Sequence, residues 1–221
     1  MKVFECNALD CFEALTEAQR KELQANTTSV QYSKGEVIIK QGFAVSSIFF
    51  LSKGVVKIDV TSDNRTTTIA LASGKSFLGL MCSFDSRQVD FSVVALVDSE
   101  IQLIDRSIVE RFILENGLFA TRLIFNISSM TKELVNSLIR KNAKNSDGAV
   151  AMTLLELMKH FGSNKFDLPL SRVELASVVG YSKESLLLSL SSLSNDGIIT
   201  LNGKHVVVND EKRLLLVAQN G

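Results

Sequence analysis

The sequence predicts an α+β chain: a β-rich first half, one long helix, and a smaller helical second half. Three observations predict it. Seven short β-rich runs, punctuated by glycine, fall between residues 30 and 104. From about Leu118 to Lys144 apolar side chains recur at steps of three and four. Beyond Asn145, helix caps and glycines at fixed spacing mark short helices followed by a hairpin.

The 221 residues suffice for two domains, and 46% hydrophobic with 22% charged residues is ordinary for a water-soluble globular protein. No apolar run approaches membrane-spanning length, and MKVFECNALDCF lacks the long apolar core of a signal peptide. A cytoplasmic protein with no membrane partner is expected. A formal net charge of zero argues against a non-specific nucleic-acid coat. The part from Asn145 onward carries seven Lys/Arg against eight Asp/Glu, so nucleic-acid binding there depends on local positive charge and is salt-sensitive. Cys6, Cys11 and Cys82 form no C-x-x-C pair; reduced thiols are expected rather than a disulfide framework or metal cluster. No G-x-S-x-G elbow, metal triad or phosphate loop is present, so no enzyme is expected.

Taken in order, Thr16 and Gln19 stand in a capping-box arrangement for a short helix over Leu15–Leu23. The period then changes to two. Strands are expected at 30–32, 37–40, 48–51, 55–60, 66–71, 91–96 and 100–104, folded as an antiparallel sandwich or jelly roll. Ser107 and Glu110 predict a capping box for a helix through Leu114, broken at Asn116-Gly117. In the long helix that follows, Leu123, Ile127, Met130, Leu134 and Leu138 form a seam about two heptads long. A helix of that length needs partners: the β domain on one face and a second copy of itself on the other, the seam being assigned to the second copy. Asn142 to Gly148 reads as a polar hinge, and Val150–Phe161 as a helix beneath the last domain. The expected divisions are 1–117, 118–144 and 145–221.

Residues 171–193, SRVELASVVGYSKESLLLSLSSL, read as two short helices with a tight break. Ser171 and Glu174 form a capping box, Leu175, Val178 and Val179 give one apolar face, and Gly180 stops the first helix. Ser182 can cap the second from Lys183, and Ala176 is small enough to be crossed closely. This is the spacing of a DNA-binding helix-turn-helix, with an ordinary helical hairpin as the alternative. Asn195-Asp196-Gly197 closes the second helix, and Asn202-Gly203 between two β-rich runs predicts a type I′ hairpin, which makes a winged helix. EKRLLLVA behind Asp210 predicts a closing helix.

The ordered set resembles the family of the cyclic-AMP receptor protein and the fumarate–nitrate reduction regulator (CRP/FNR). The carriers are KGEVIIKQG (34–42), LSKGVVKI (51–58), GKSFLGL (74–80), VVALVDSEIQLID (93–105), LSRVELASVVGYSKESL (170–186) and DGIITLNGK (196–204). The resemblance implies a cyclic-nucleotide-binding-like β-roll as sensor, a dimerisation helix and a winged helix-turn-helix. It also implies a homodimeric transcription regulator that binds double-stranded DNA at a palindromic site and works with RNA polymerase. It carries the DNA-contacting role to Ser171, Arg172, Ser182, Lys183, Glu184, Ser185 and Leu188.

Two departures alter the expectation. The family's cyclic-nucleotide members use a Gly-Glu and an Arg-Ser pair in the phosphate cassette; here these positions are Gly79-Leu80 and Val89-Asp90, with Arg87 the nearest cation. Cyclic AMP is therefore not expected. In the reading helix, Lys183-Glu184 keep the first pair, Glu184 being able to accept from cytosine N4. The later arginine is Leu188, which either touches a thymine methyl or belongs to the core, and the next position, normally apolar, is Ser189. Three sensor candidates remain open. One is a small apolar or weakly polar ligand in the β-roll, lined by residues near Phe77, Leu80 and Met81. A second is haem, ligated by Cys82, Met81, Met130 or the N-terminal amine because His160 and His205 both lie in the last domain. The third is no ligand at all, with constitutive binding or a protein signal. A different class of function is a β-roll interaction or ligand-binding module whose C-terminal domain no longer reads DNA.

Overall fold

The computed structural model describes residues 8–63, 65–80, 84, 88–143 and 145–221; the side chains of 8–9, 65, 133–134 and 136–143 are outside the description. The chain divides into two compact units, 1–134 and 135–221.

In the first unit, α1 (Ala8–Glu13) and α2 (Glu17–Ala25) precede eight strands. These are β1 (Thr27–Tyr32), β2 (Val37–Ile39), β3 (Ser47–Lys53), β4 (Val55–Ser62), β5 (Arg65–Ser73), β6 (Ser76–Leu78), β7 (Ser92–Ala95) and β8 (Ser99–Asp105). They form two antiparallel four-stranded sheets, ordered β1-β8-β3-β6 and β2-β7-β4-β5. The expected sandwich is present. Helix α1 and strand β6 were not expected, because elements of six and three residues are too short for a period to show.

Side chains alternate across a strand, and the first sheet is buried on both faces. Phe49, Leu51, Leu78 and Ile101 pack with Val56, Phe91 and Val93 in one core. Ile48, Phe50, Phe77 and Ile104 pack against Cys11, Leu15, Phe112, Phe119 and Leu123 in another. That two-sided burial explains why SIFFLSK reads as a continuous apolar run. The Phe12, Phe50 and Phe77 rings stand 5.2–5.5 Å apart in edge-on or tilted pairs, favourable for aromatic quadrupoles.

The Thr16–Gln19 capping box forms as expected, at 3.1 and 3.2 Å. The Ser107–Glu110 box does not. Helix α3 (Arg106–Glu115) starts earlier, with Asp105 as its cap accepting from the Ser107 amide at 2.8 Å. Glu110 instead pairs with Arg106. The Ser107 hydroxyl, and then its amide, hold the Asp105 carboxyl below the usual carboxylate range.

Helix α4 spans Gly117–Ala143. The residues of its expected seam differ in burial. Leu123 is buried in the protomer's own core with Phe112 and Phe119, and the half-buried Ile127 packs against the same cluster. Met130 is half-buried, and the side chains of Leu134 and Leu138 lie outside the described ones. Leu118, Thr121, Phe125, Ser128 and Lys132 make the exposed stripe at three- and four-residue steps, with Ile124 beside it.

In the second unit, α5 (Ser146–Phe161) packs on α6 (Arg172–Val179), α7 (Lys183–Asn195) and α8 (Glu211–Asn220). A three-stranded sheet, β10 (Ile199–Asn202), β11 (His205–Val208) and β9 (Lys165–Asp167), runs in the order β10-β11-β9. The polar hinge is shorter than expected: Asn145 caps α5 by accepting from the Gly148 amide at 2.9 Å, so Ser146 to Gly148 are already its first turn. The hairpin also differs. Asn202 pairs with His205, which leaves Gly203-Lys204 as the two-residue turn. Only Gly203 has positive φ (60°), whereas type I′ requires it at both positions.

His160, near the end of α5, is half-buried; burial, and secondarily Lys159, lower its pKa below the ordinary 6.5. The unfolded chain therefore binds this proton more readily than the folded one. The stability it contributes is complete above about pH 6.5 and is lost as pH falls through the folded-state value. Urea unfolding at pH 7 and pH 5.5 should show a smaller loss for His160→Gln than for the wild type.

Candidate nucleic-acid interface and sensor

The helix-turn-helix is built from short-range capping. Ser171 accepts from the Glu174 amide at 3.2 Å while the Glu174 carboxylate accepts from the Ser171 amide at 2.9 Å. Gly180 ends α6, its amide donating to the Ala176 carbonyl at 2.9 Å, and Ala176 is buried beneath the crossing helix. Ser182 then caps α7, accepting from the Ser185 amide at 3.1 Å.

On α7, Leu186, Ser189, Leu190 and Leu193 are buried. The outward stripe is Lys183-Glu184, Leu187-Leu188 and Ser191-Ser192. A hydrogen bond from its own amide, and then one from the Ser182 hydroxyl, lower the pKa of the exposed Glu184. It stays an ionised acceptor at the positive end of the helix. Leu188 is 73% exposed, so it is not a core residue. Ser189 is buried, and its hydroxyl finds no hydrogen-bond partner among the described residues. An unpartnered buried hydroxyl costs about 1–3 kcal/mol. Ser189→Ala should therefore raise the unfolding free energy by about 1 kcal/mol in urea titration. A loss of stability would mean that the hydroxyl is satisfied.

Arg172 does more than the sequence indicated. Its guanidinium, partly desolvated, donates to the Gly203 carbonyl at 2.6 Å and so ties the wing turn to the start of α6. This brings Ser171, Arg172 and the exposed Lys204 of the turn to one end of the unit. Lys204 was missed because only the Asn-Gly pair was read as the turn.

The sensor residues fall differently. Phe77 and Leu80 do not line the interior of the roll; both are buried on the helix side of the first sheet, against Phe12, Phe50 and Cys11. Phe77 follows its strand's alternation, because its neighbour Leu78 faces the roll interior. Gly79 is packed under the Phe91 ring, which lies 2.2 Å from where a Cβ would be. Val89 is buried in the roll core, bonded through its backbone to Gly42 and Phe43, whereas Asp90 is exposed. Met81, Cys82 and Arg87, like Cys6, lie outside the described residues. Among the described residues no group of three or more His, Cys, Asp or Glu could hold a metal ion. No described helix is long and apolar enough to cross a membrane.

Comparison with known proteins assigns both halves. The cyclic nucleotide-binding domain family matches residues 29–116, and the Crp-like helix-turn-helix domain family matches residues 148–216. A CRP-like cAMP-activated global transcriptional regulator of Mycobacterium tuberculosis is 24% identical over 203 residues, covering 89% of each chain. The transcriptional activator protein FnrL of Cereibacter sphaeroides is 28% identical over 196 residues, covering 83% of this chain and 77% of its own. Among solved structures, FixK2 from Bradyrhizobium japonicum shares the fold at a TM-score of 0.77 and 22% identity, over 86% of this chain and 96% of its own. A CRP/FNR-family regulator from Thermus thermophilus does so at 0.69 and 20%, over 87% and 98%.

Proposed function

The chain belongs to the CRP/FNR family of transcription regulators, and from that premise we propose that it acts as a homodimer on a palindromic DNA site, in response to something other than cyclic AMP. The observation that carries the reading is the outward stripe of α7, which begins at a capped N-terminus with Lys183 and Glu184. Helix-turn-helix geometry places that end in the major groove. There Glu184 accepts from a cytosine amino group, while Lys183, Ser171, Ser185 and Lys204 hold phosphates or groove edges. Arg172 sets the wing at the correct height by its bond to Gly203. Dimerisation uses the exposed stripe of α4 through Leu118, Ile124 and Phe125, since Leu123 and Ile127 are committed within the protomer. The two half-sites should then lie about one helical turn apart, roughly 10–10.5 base pairs centre to centre. RNA polymerase is the partner by family resemblance.

The residues present do not suit a cyclic nucleotide. At the glutamate position Leu80 is buried and apolar, and at the arginine position Val89 is buried in the roll core beside an exposed Asp90. At these described positions a phosphodiester finds no cationic fork and loses the charge-assisted hydrogen bonds it would supply. Calorimetry with millimolar cyclic AMP should register no binding heat; a dissociation constant in the low micromolar range would contradict the placement of the cassette. Gel shifts on DNA from the protein's own promoter at low salt test DNA binding itself. Failure there would favour a β-roll interaction module whose C-terminal domain does not read DNA.

A further inference from the structure

The outward stripe of α7 has a composition that narrows the DNA it can recognise. Over Lys183–Asn195 there is one cation and one anion, both in the first turn. The next exposed turn is Leu187 and Leu188, and the one after it is Ser191 and Ser192. Leu188, at 73% exposure, lies four residues after Glu184 and hence on the same side of the helix. Glu184 and Ser192 stand four residues from it and Ser185 and Ser191 three, and beside them its side chain remains largely open to an approaching surface. The buried side of the helix is filled without it, by Leu186, Leu190 and Leu193.

A leucine in this place gains nothing from phosphates and forms no hydrogen bond with a base edge. The feature of the major groove that it complements is the C5 methyl group of thymine, the one apolar group displayed there by a base pair. Resting on the DNA-reading role set out above, we infer that Leu188 is a specificity-determining residue that reads a thymine methyl, next to the base pair that Glu184 reads. Each half-site then carries a thymine whose methyl, not its hydrogen-bonding edge, is recognised. The small charge of the stripe is consistent with this, since shape and apolar contact replace a charged fork.

Substituted DNA separates methyl reading by Leu188 from DNA reading as such. The full-length protein is first used to select a preferred site from random duplex DNA. Each thymine of one half-site is then replaced singly by deoxyuridine, which keeps base pairing and removes the methyl alone. At one position, affinity should fall by about fourfold, the equivalent of one buried methyl-sized group. With Leu188→Ala the same site should be bound more weakly, and thymine and deoxyuridine at that position should be bound alike. A site bound equally well with deoxyuridine at every position, or a methyl effect that persists in Leu188→Ala, would overturn the inference while leaving DNA reading intact. Failure to select any sequence would overturn both. Circular dichroism and melting of Leu188→Ala should match the wild type, because the side chain is exposed.

Discussion

Phe125→Glu should convert the protein from dimer to monomer in sedimentation velocity at micromolar concentration, and DNA binding should fall with it. Phe125 is 57% exposed on α4, with Leu118 at 59% and Ile124 at 63% on the same helix, in a stripe that its own protomer leaves uncovered. Large apolar side chains clustered in this way favour association, and a fully buried phenylalanine is worth about 1.5–3 kcal/mol. A carboxylate at the same place must be desolvated without a partner, once in each protomer, which adds several kcal/mol more. The dissociation constant should rise by about 10³-fold or more, from a loss of about 4 kcal/mol or above. Because the side chain is exposed in the protomer, folding should be little changed. Leu123→Ala makes the contrasting control. It empties a buried position at a cost of about 2–5 kcal/mol, so it should lower thermal stability before it alters assembly. A Phe125→Glu protein that remains dimeric would show that another surface joins the protomers.

Glu184→Ala should lower affinity for the preferred site by about 1–3 kcal/mol while leaving non-specific binding unchanged or slightly stronger. The carboxylate has two kinds of partner to lose: its local hydrogen bonds at the start of α7 and, in the proposed reading, a cytosine amino group. Only the second depends on DNA sequence. Removing an anion near the phosphates also relieves repulsion on every sequence, which is why the two affinities should move in different directions. Lys183→Ala should weaken binding to all sequences alike and reduce the salt dependence by about one ion for each phosphate no longer neutralised. If Glu184→Ala leaves the selected motif unchanged, the carboxylate serves only the helix end.

What the sequence disclosed follows the range of the forces involved. The helix-turn-helix was legible because its signals are local: the Ser171–Glu174 box, the Gly180 stop and the Ser182 cap act within a few residues. The antiparallel sandwich was legible from period-two runs. Which face of α4 stays exposed was not, because α4 has apolar residues on two sides and periodicity does not say which side the chain's own core will cover. Phe112 and Phe119 cover the Leu123 side. Phe77 was misplaced for a related reason. A strand buried on both faces offers no polar side to reveal which alternate residues look inward. The hairpin slipped by one residue because Asn202 is held in the ladder opposite His205. The departures at Leu80 and Leu188 were visible from the start, but only burial distinguished them: one is committed to the core and the other is displayed to solvent.

The claim that this chain reads DNA as a two-fold dimer is tested most directly by selecting the full-length protein against random duplex DNA at low salt and sequencing what it retains. An enriched inverted repeat is expected, with half-site centres about 10–10.5 base pairs apart. Retained DNA with no enriched sequence, or an enriched single half-site without its inverted partner, would contradict it.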